Sequence, residues 1–419
     1  MIERNTLGNG LRIMAQKKKD SLATSVLVLV KTGSRNEPLK LHGISHFLEH
    51  MCFKGTKKRP TFQDIAKEID SMGAFNNAFT GKEYTGYYIK ADNSHFEKCL
   101  DILSDITFNS EFDEKEIEKE KGTLLEEINM YEDDPSTDVY MLFDNIIDKN
   151  ALVAQSSLGE KEPIKSLSRS ILKNYRDSYY KAGNSIVSCV GNLPDDYIQK
   201  IEKYFGQVES GEKSFLESVD NPLYEKRVFL RTKSTEQSHV ILGVESFDIH
   251  HKERYAVDLL SVILGGNASS RLFAEVREKR GLAYFVHSMT DRGFDNGAFL
   301  IKAGLNTDKI EDAIKIIMKE MEKIKSDVKE EELARAKEYI KGSLALSEEN
   351  SLVVVEKNAL EDILGSKSLP LAERIKNYEK VTLDDIHRMA KEIFDASKMK
   401  LAIIGPYEND EKFVKILSD

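Results

Sequence analysis

The sequence predicts an α+β protein made of two homologous α/β-sandwich domains, each a mostly antiparallel mixed sheet packed against helices. Three observations predict it. The chain has 419 residues, more than one ordinary core accommodates. Short apolar segments alternate with longer amphipathic ones, the pattern of strands interleaved with helices. The same order of segments also runs through the chain twice. The expected boundaries are an N-terminal domain over residues 1–206, a linker over 207–227 and a C-terminal domain over 228–419.

Each element has its reason. Residues 23–32 (ATSVLVLVKT) form a β-branched apolar run, and 84–91 (YTGYYIKA) form a second strand leading into the amphipathic stretch 95–108. A long charged helix follows over 113–131, and the apolar strand 185–191 (SIVSCVG) closes the half on glycine. The second half repeats this with a strand at 237–244, a helix at 254–264 and a strand at 297–303 (GAFLIKA). Helices at 309–324 and 329–346 and a strand at 400–405 (KLAIIG) complete it. Ile89-Lys90-Ala91 and Ile301-Lys302-Ala303 occupy matching places. The alternation suggests a sheet covered by helices on one face. The polar segment 207–227, with Gly211 and Pro222, reads as the linker.

Composition narrows the function classes. Net charge is −10, from 71 acidic and 61 basic residues, which disfavours nucleic-acid binding. The acid is concentrated at 111–120, 126–127 and 132–134, either a solvated helix face or a lining that attracts basic peptides. No run of about eighteen apolar residues is present, so no membrane span is expected. The first residues lack the features of a secretory or organelle leader. The cysteines, Cys52, Cys99 and Cys189, are sparse and odd in number, which favours a reducing compartment, by default the cytoplasm. Cys52 follows His50 by two residues but reads as a packing residue, since a thiolate ligand would close the site.

The chemistry is concentrated at residues 46–50, His-Phe-Leu-Glu-His. On a helix, His46 and His50 project from one face and Glu49 from nearly the same side. Two imidazoles can hold a zinc ion, and the carboxylate beside them can serve as general base toward water. The plainer reading is a solvated helix with two unrelated histidines. Ile44, Phe47, Leu48, Met51 and Phe53 argue against it, because they require burial and buried imidazoles need partners. The motif has the inverted H-x-x-E-H order. A catalytic zinc needs a third protein ligand. On the downstream helix, Ile117, Leu124, Ile128 and Tyr131 define a buried stripe; Glu120 and Glu127 fall on it and Glu126 does not. Glu127 is therefore the expected third ligand, with Glu120 as an auxiliary acid behind it. The second half has no histidine pair and should bind no such metal.

These residues resemble the pitrilysin-type inverzincin peptidases, and among them the short branch that includes mitochondrial processing peptidase and bacterial relatives. The resemblance spans nearly the whole chain. It rests on 43–56 (GISHFLEHMCFKGT), 77–85 (NAFTGKEYT), 118–131 (EKEKGTLLEEINMY) and 270–284 (SRLFAEVREKRGLAY). It implies one zinc per chain on His46, His50 and Glu127, with Glu49 as catalytic base and Glu120 as auxiliary acid. It further implies substrate-backbone pairing at Asn77, Ala78 and Phe79, whose plainer reading is a turn before the next strand. Ala74 stands where relatives often carry a second glycine. Arg277 and Tyr284 match a pair that completes the active site in the family; their plainer readings are a surface helix residue and a core aromatic.

The activity implied is a zinc endopeptidase that cleaves peptides or unfolded, presequence-like segments in an enclosed chamber. A basic peptide fits the acidic surface. Since the chain carries both the metal motif and the Arg/Tyr pair, the resemblance implies a homodimer with active sites completed in trans. The competing class is a catalytically silent scaffold or peptide-binding subunit of a larger complex, for which the family has examples with damaged metal motifs.

Overall fold

The computed structural model describes residues 2–418; Met1 and Asp419, the outer ends of the two expected domains, lie outside the described residues. The chain divides into two compact units, and neither is contiguous in sequence. One comprises Met1–Ile128, Gln155–Glu217 and Leu346–Pro370; the other comprises Asn129–Ala154, Ser218–Ala345 and Leu371–Asp419. One of the five crossings between the units, Glu217 to Ser218, lies within the expected linker 207–227, and each unit also takes in a segment from the opposite half.

In the first unit, six strands form one sheet: β1 (Ile2–Thr6), β2 (Arg12–Lys17), β3 (Ala23–Val30), β4 (Phe75–Thr80), β5 (Thr85–Asp92) and β6 (Ser185–Gly191). Their order is β1-β2-β6-β3-β5-β4, and every pairing is antiparallel except β2 with β6. Val26, Val28 and Val30 face a core shared with Phe47, Leu48, Ile102 and Leu103, from the helices Ile44–Met51 and Phe96–Phe108. Leu27 and Leu29 point the other way and are just as buried. The helix Ser351–Ile363, from the second half of the sequence, packs on β3 and β6, and Ser25 and Ser351 share a buried 2.9 Å hydrogen bond. The sheet is thus covered on both faces, not on one. This explains why β3 is apolar at successive positions rather than alternating, since a strand with no solvated face has no use for polar residues.

The second unit repeats the plan with β7 (Val228–Thr232), β8 (Gln237–Glu245), β9 (Ala283–Arg292), β10 (Gly297–Asn306) and β11 (Lys400–Gly405). The order is β7-β11-β8-β10-β9, with only β11 and β7 parallel. The helix Arg254–Gly265 lies against β9 on one face, and Pro135–Ile147, from the first half of the sequence, lies against β8 and β11 on the other. Phe143 of that helix fills the space left by Gly243, where a Cβ would lie 2.6 Å from its ring. The helix is anchored by Asp138, fully buried and paired with Arg231 and, at 3.0 Å, with Lys233. The fold is therefore two α+β sandwiches of like topology, as the doubled sequence pattern implied. Both Lys90 and Lys302 sit on the strand next to the edge, β5 and β10.

Candidate metal centre

The helix Ile44–Met51 is placed by its apolar side. Ile44, Phe47, Leu48 and Met51 have no solvent exposure, which turns His46, Glu49 and His50 to the opposite side. Its first turn is fixed by a residue outside it. Glu37, fully buried, accepts hydrogen bonds from the backbone amides of Gly43 and Ser45, both at 2.7 Å. A carboxylate there satisfies amides that have no intrahelical partner and faces the positive end of the helix dipole. Burial pushes the Glu37 carboxyl up, against the pull of His42 and the two amides. Gly43 has φ +99°, and a Cβ on it would lie 2.9 Å from the Cα of Gly159, so only glycine fits this entry to the helix.

Glu127 comes from the helix Glu114–Asp133, whose buried residues are Ile117, Glu120, Leu124 and Ile128. One ligand atom from each of His46, His50 and Glu127 lies within 4.8 Å of the other two. Glu127 Oε1 is 3.8 Å from His46 Nε2, and Oε2 is 3.5 Å from His50 Nε2. Ligand atoms around a tetrahedral zinc with bonds of about 2.0–2.1 Å stand about 3.3 Å apart. The donor set of two imidazole nitrogens and one carboxylate thus suits that ion in kind and nearly in spacing. The far sides of both rings are occupied: His50 Nδ1 meets Glu120 Oε1 at 2.8 Å and His46 Nδ1 faces the Leu158 carbonyl at 3.4 Å. Both Nε2 atoms are left free to point inward, the orientation that outer-shell partners give to zinc-binding histidines.

The electrostatics separate the residues by role. Burial and the neighbouring His50 ring push His46 down to about 4, so its imidazole is neutral. Burial opposes protonation of His50, but its hydrogen bond to Glu120 and the charges of Glu49 and Glu127 outweigh it and raise its pKa. Glu120 is buried, yet His50 and Lys54, whose Nζ is 2.5 Å away, hold its carboxyl below the ordinary value. Glu49 goes the other way. Burial and the Glu127 charge raise it, while a 2.5 Å hydrogen bond from Thr80 Oγ1 to its Oε2 and the His50 ring restrain it.

The structure therefore brings five of the sequence-derived site residues together: His46, Glu49, His50, Glu120 and Glu127. Asn77, Ala78 and Phe79 lie in the same unit on β4, a strand rather than a turn, at the sheet edge. Arg277 and Tyr284 are neighbours in the other unit. The Arg277 guanidinium is 4.8 Å from the Phe273 ring and 5.9 Å from the Tyr284 ring, on a π-helical turn over Phe273–Glu278. Tyr284 is not the core aromatic of the plainer reading; it is 72% exposed. The register of β9 against β10 shifts between Gly304 and Leu305, which pair with Phe285 and Ala283, so Tyr284 is the extra residue of a β-bulge. Sequence reasoning missed Glu37, Lys54, Leu158 and the Thr80 hydroxyl. An acid a few residues before a helix-opening glycine was the one available signal, and it pointed to Glu37.

Comparison with known proteins finds matches over most of the chain. The profile of "Insulinase (Peptidase family M16)" matches residues 12–159 and that of "Peptidase M16 inactive domain" matches 166–340. A Bacillus subtilis protein described as an uncharacterized zinc protease is 36% identical over 98% of this chain and 99% of its own length. The chain belongs to peptidase family M16. A second relative of this family, an uncharacterized zinc protease of Rickettsia felis, is 36% identical over 96% of both chains. Among solved structures, a protease from Helicobacter pylori superposes with a TM-score of 0.90 at 26% identity, over 97% of this chain and 99% of that one. A chain of complex III2 from Candida albicans superposes at 0.86 with 18% identity, over 100% of this chain and 99% of that one, a likeness of fold alone. Among the described residues, no helix is long and apolar enough to cross a membrane.

Proposed function

We propose that this M16 chain is a zinc-dependent endopeptidase holding one zinc on His46, His50 and Glu127. The observation that carries the proposal is the convergence of those three donors, each histidine turned inward by an oxygen on its far nitrogen. Zinc bound there supplies Lewis acidity toward a water molecule and a peptide carbonyl. Glu49 takes a proton from the attacking water at its carboxylate and hands it to the departing amine. A carboxyl raised by burial is a better base for that relay than an ordinary one. Thr80 fixes the rotamer of Glu49, and Glu120 fixes the His50 ring.

Substrate is read through the backbone. The outer side of β4 is unpaired, so an extended peptide can add to it at Asn77, Ala78 and Phe79, which makes binding tolerant of sequence. Arg277 and Tyr284 act as cation and phenol donor for the oxygen that gains charge at the scissile carbon. We assign their site to a second copy of the chain, in a homodimer that encloses the peptide. The three thiols are unpaired and buried, which fits the reducing cytoplasm. A basic presequence-like peptide remains the first substrate to try, given the net charge of −10. The scaffold reading has the fold in its favour, but the metal motif is intact.

The test is Glu49→Gln. It should retain zinc and lose cleavage of a casein-derived peptide by about a hundredfold to ten-thousandfold. Wild-type activity should vanish with o-phenanthroline and return with zinc. Near-normal turnover by Glu49→Gln would refute the role given to Glu49.

A further inference from the structure

The second unit carries a group of nitrogen bases that the metal chemistry does not use. On the sheet face that also receives the helix Pro135–Ile147, Lys302 of β10 pairs directly with His287 of β9. One step along, Gly304 lies between His239 of β8 and Phe285 of β9. The Phe285 ring stands 6.1 Å from His239 and 5.7 Å from His287. A Cβ on Gly304 would lie 2.6 Å from that ring, so the missing side chain lets the aromatic settle between the two imidazoles.

All three bases are partly buried, and among the described residues no hydrogen bond or ion pair engages the side chain of Lys302, His239 or His287. His239 Nδ1 is closed off from solvent without a partner. Burial lowers the pKa of each, and Lys302 adds to this at both histidines. Asp134 is the carboxylate whose charge reaches His239 and Lys302, but its oxygens are already committed to the Ser136 amide and the Thr137 hydroxyl. A partly buried ammonium whose nearest charge partner makes no direct ion pair with it is costly, in a chain of net charge −10 that has carboxylates to spare. Lys302 and its cross-strand neighbour His287 offer two N–H donors beside an aromatic face, which suits a planar carboxylate.

We infer that Lys302 and His287 form a subsite for a carboxylate of a bound peptide, either its C-terminus or an acidic side chain. The inference rests on the peptidase reading and on Tyr284, next in sequence to Phe285, belonging to the peptide site. The subsite would give sequence-tolerant strand pairing an end-reading or acid-reading element in the unit that lacks metal ligands.

The experiment uses the full-length, zinc-loaded Glu49→Gln protein and fluorescence anisotropy of N-terminally labelled peptides. One peptide has a free C-terminus and an internal glutamate; its partners carry a C-terminal amide, or glutamine for glutamate. One neutralisation should weaken binding by about tenfold or more, and which one identifies the carboxylate. Adding Lys302→Met should erase that difference while leaving the neutral peptide's affinity unchanged; Lys302→Arg should keep it. His287→Gln should reduce it. Equal charge discrimination with and without Lys302→Met would overturn the subsite, as would no discrimination in the parent. Cleavage by the wild-type chain is scored separately. Peptides bound with carboxylate preference but never cut would sink the peptidase reading alone, and peptides cut without that preference would sink the subsite alone.

Discussion

At the proposed metal site, the two histidines differ in what a zinc ion would have to displace. His46, held at about 4, is already neutral at physiological pH, whereas His50 is raised above its ordinary value by Glu120. In the metal-free chain a raised histidine stabilises the fold below its unfolded pKa of about 6.5, and that contribution is lost as pH rises through the folded value. Zinc needs the neutral ring, so uptake near pH 6.5 should release up to one proton, from His50, and affinity should climb with pH and then level off. Calorimetry in two buffers of different ionisation enthalpy measures that proton. Glu120→Gln should diminish the release and weaken zinc by about tenfold to a hundredfold, while an unchanged proton count would detach His50 from Glu120. The grouping of Glu120 and Glu127 with the histidines was legible because helical periodicity alone places both on one stripe with Leu124. Thr80 and Leu158 were not, because their contacts with Glu49 and His46 join separate elements of the folded unit.

Among the elements, the central strands and charged helices were readable from apolar periodicity. The strands β1, β2, β7 and β9 were not anticipated. β1 (IERNT) and β7 (VFLRT) are short edge strands, too partly exposed to show a continuous apolar run. The cover on the second face of each sheet was also hidden, since β3 and β8 demand burial on both faces without naming the helix that provides it. Phe143 is the test of that cover. It is 1% exposed against β8, and Phe143→Ala should cost about 3–5 kcal/mol, read as a lowered urea midpoint by tryptophan-free circular dichroism. A loss under 1 kcal/mol, by contrast with that estimate of about 3–5 kcal/mol, would mean the helix is not an integral layer of its unit.

For the whole molecule, the doubled plan was visible in the matched Ile-Lys-Ala triplets, and the folded chain places both lysines one strand in from a sheet edge. The bulge that exposes Tyr284 was not visible, because a register shift of one residue leaves no mark on composition. If the Arg/Tyr pair acts on the metal site of a second copy, mixing Glu49→Gln with Tyr284→Phe protein should restore activity through hybrid sites. With four pairing outcomes of a homodimer, restoration should approach about a quarter of wild type when both variants are inactive alone. No recovery despite proven subunit exchange would place Tyr284 in the same chain's site. The exchanged helices bear on how the protein is made. During synthesis, β6 leaves the ribosome long before Ser351–Ile363, the helix that covers it, so the inner leucines of β3 stay bare while some 160 further residues are translated, on the order of ten seconds. The nascent first half therefore keeps that face of its sheet uncovered until Ser351–Ile363 has been made.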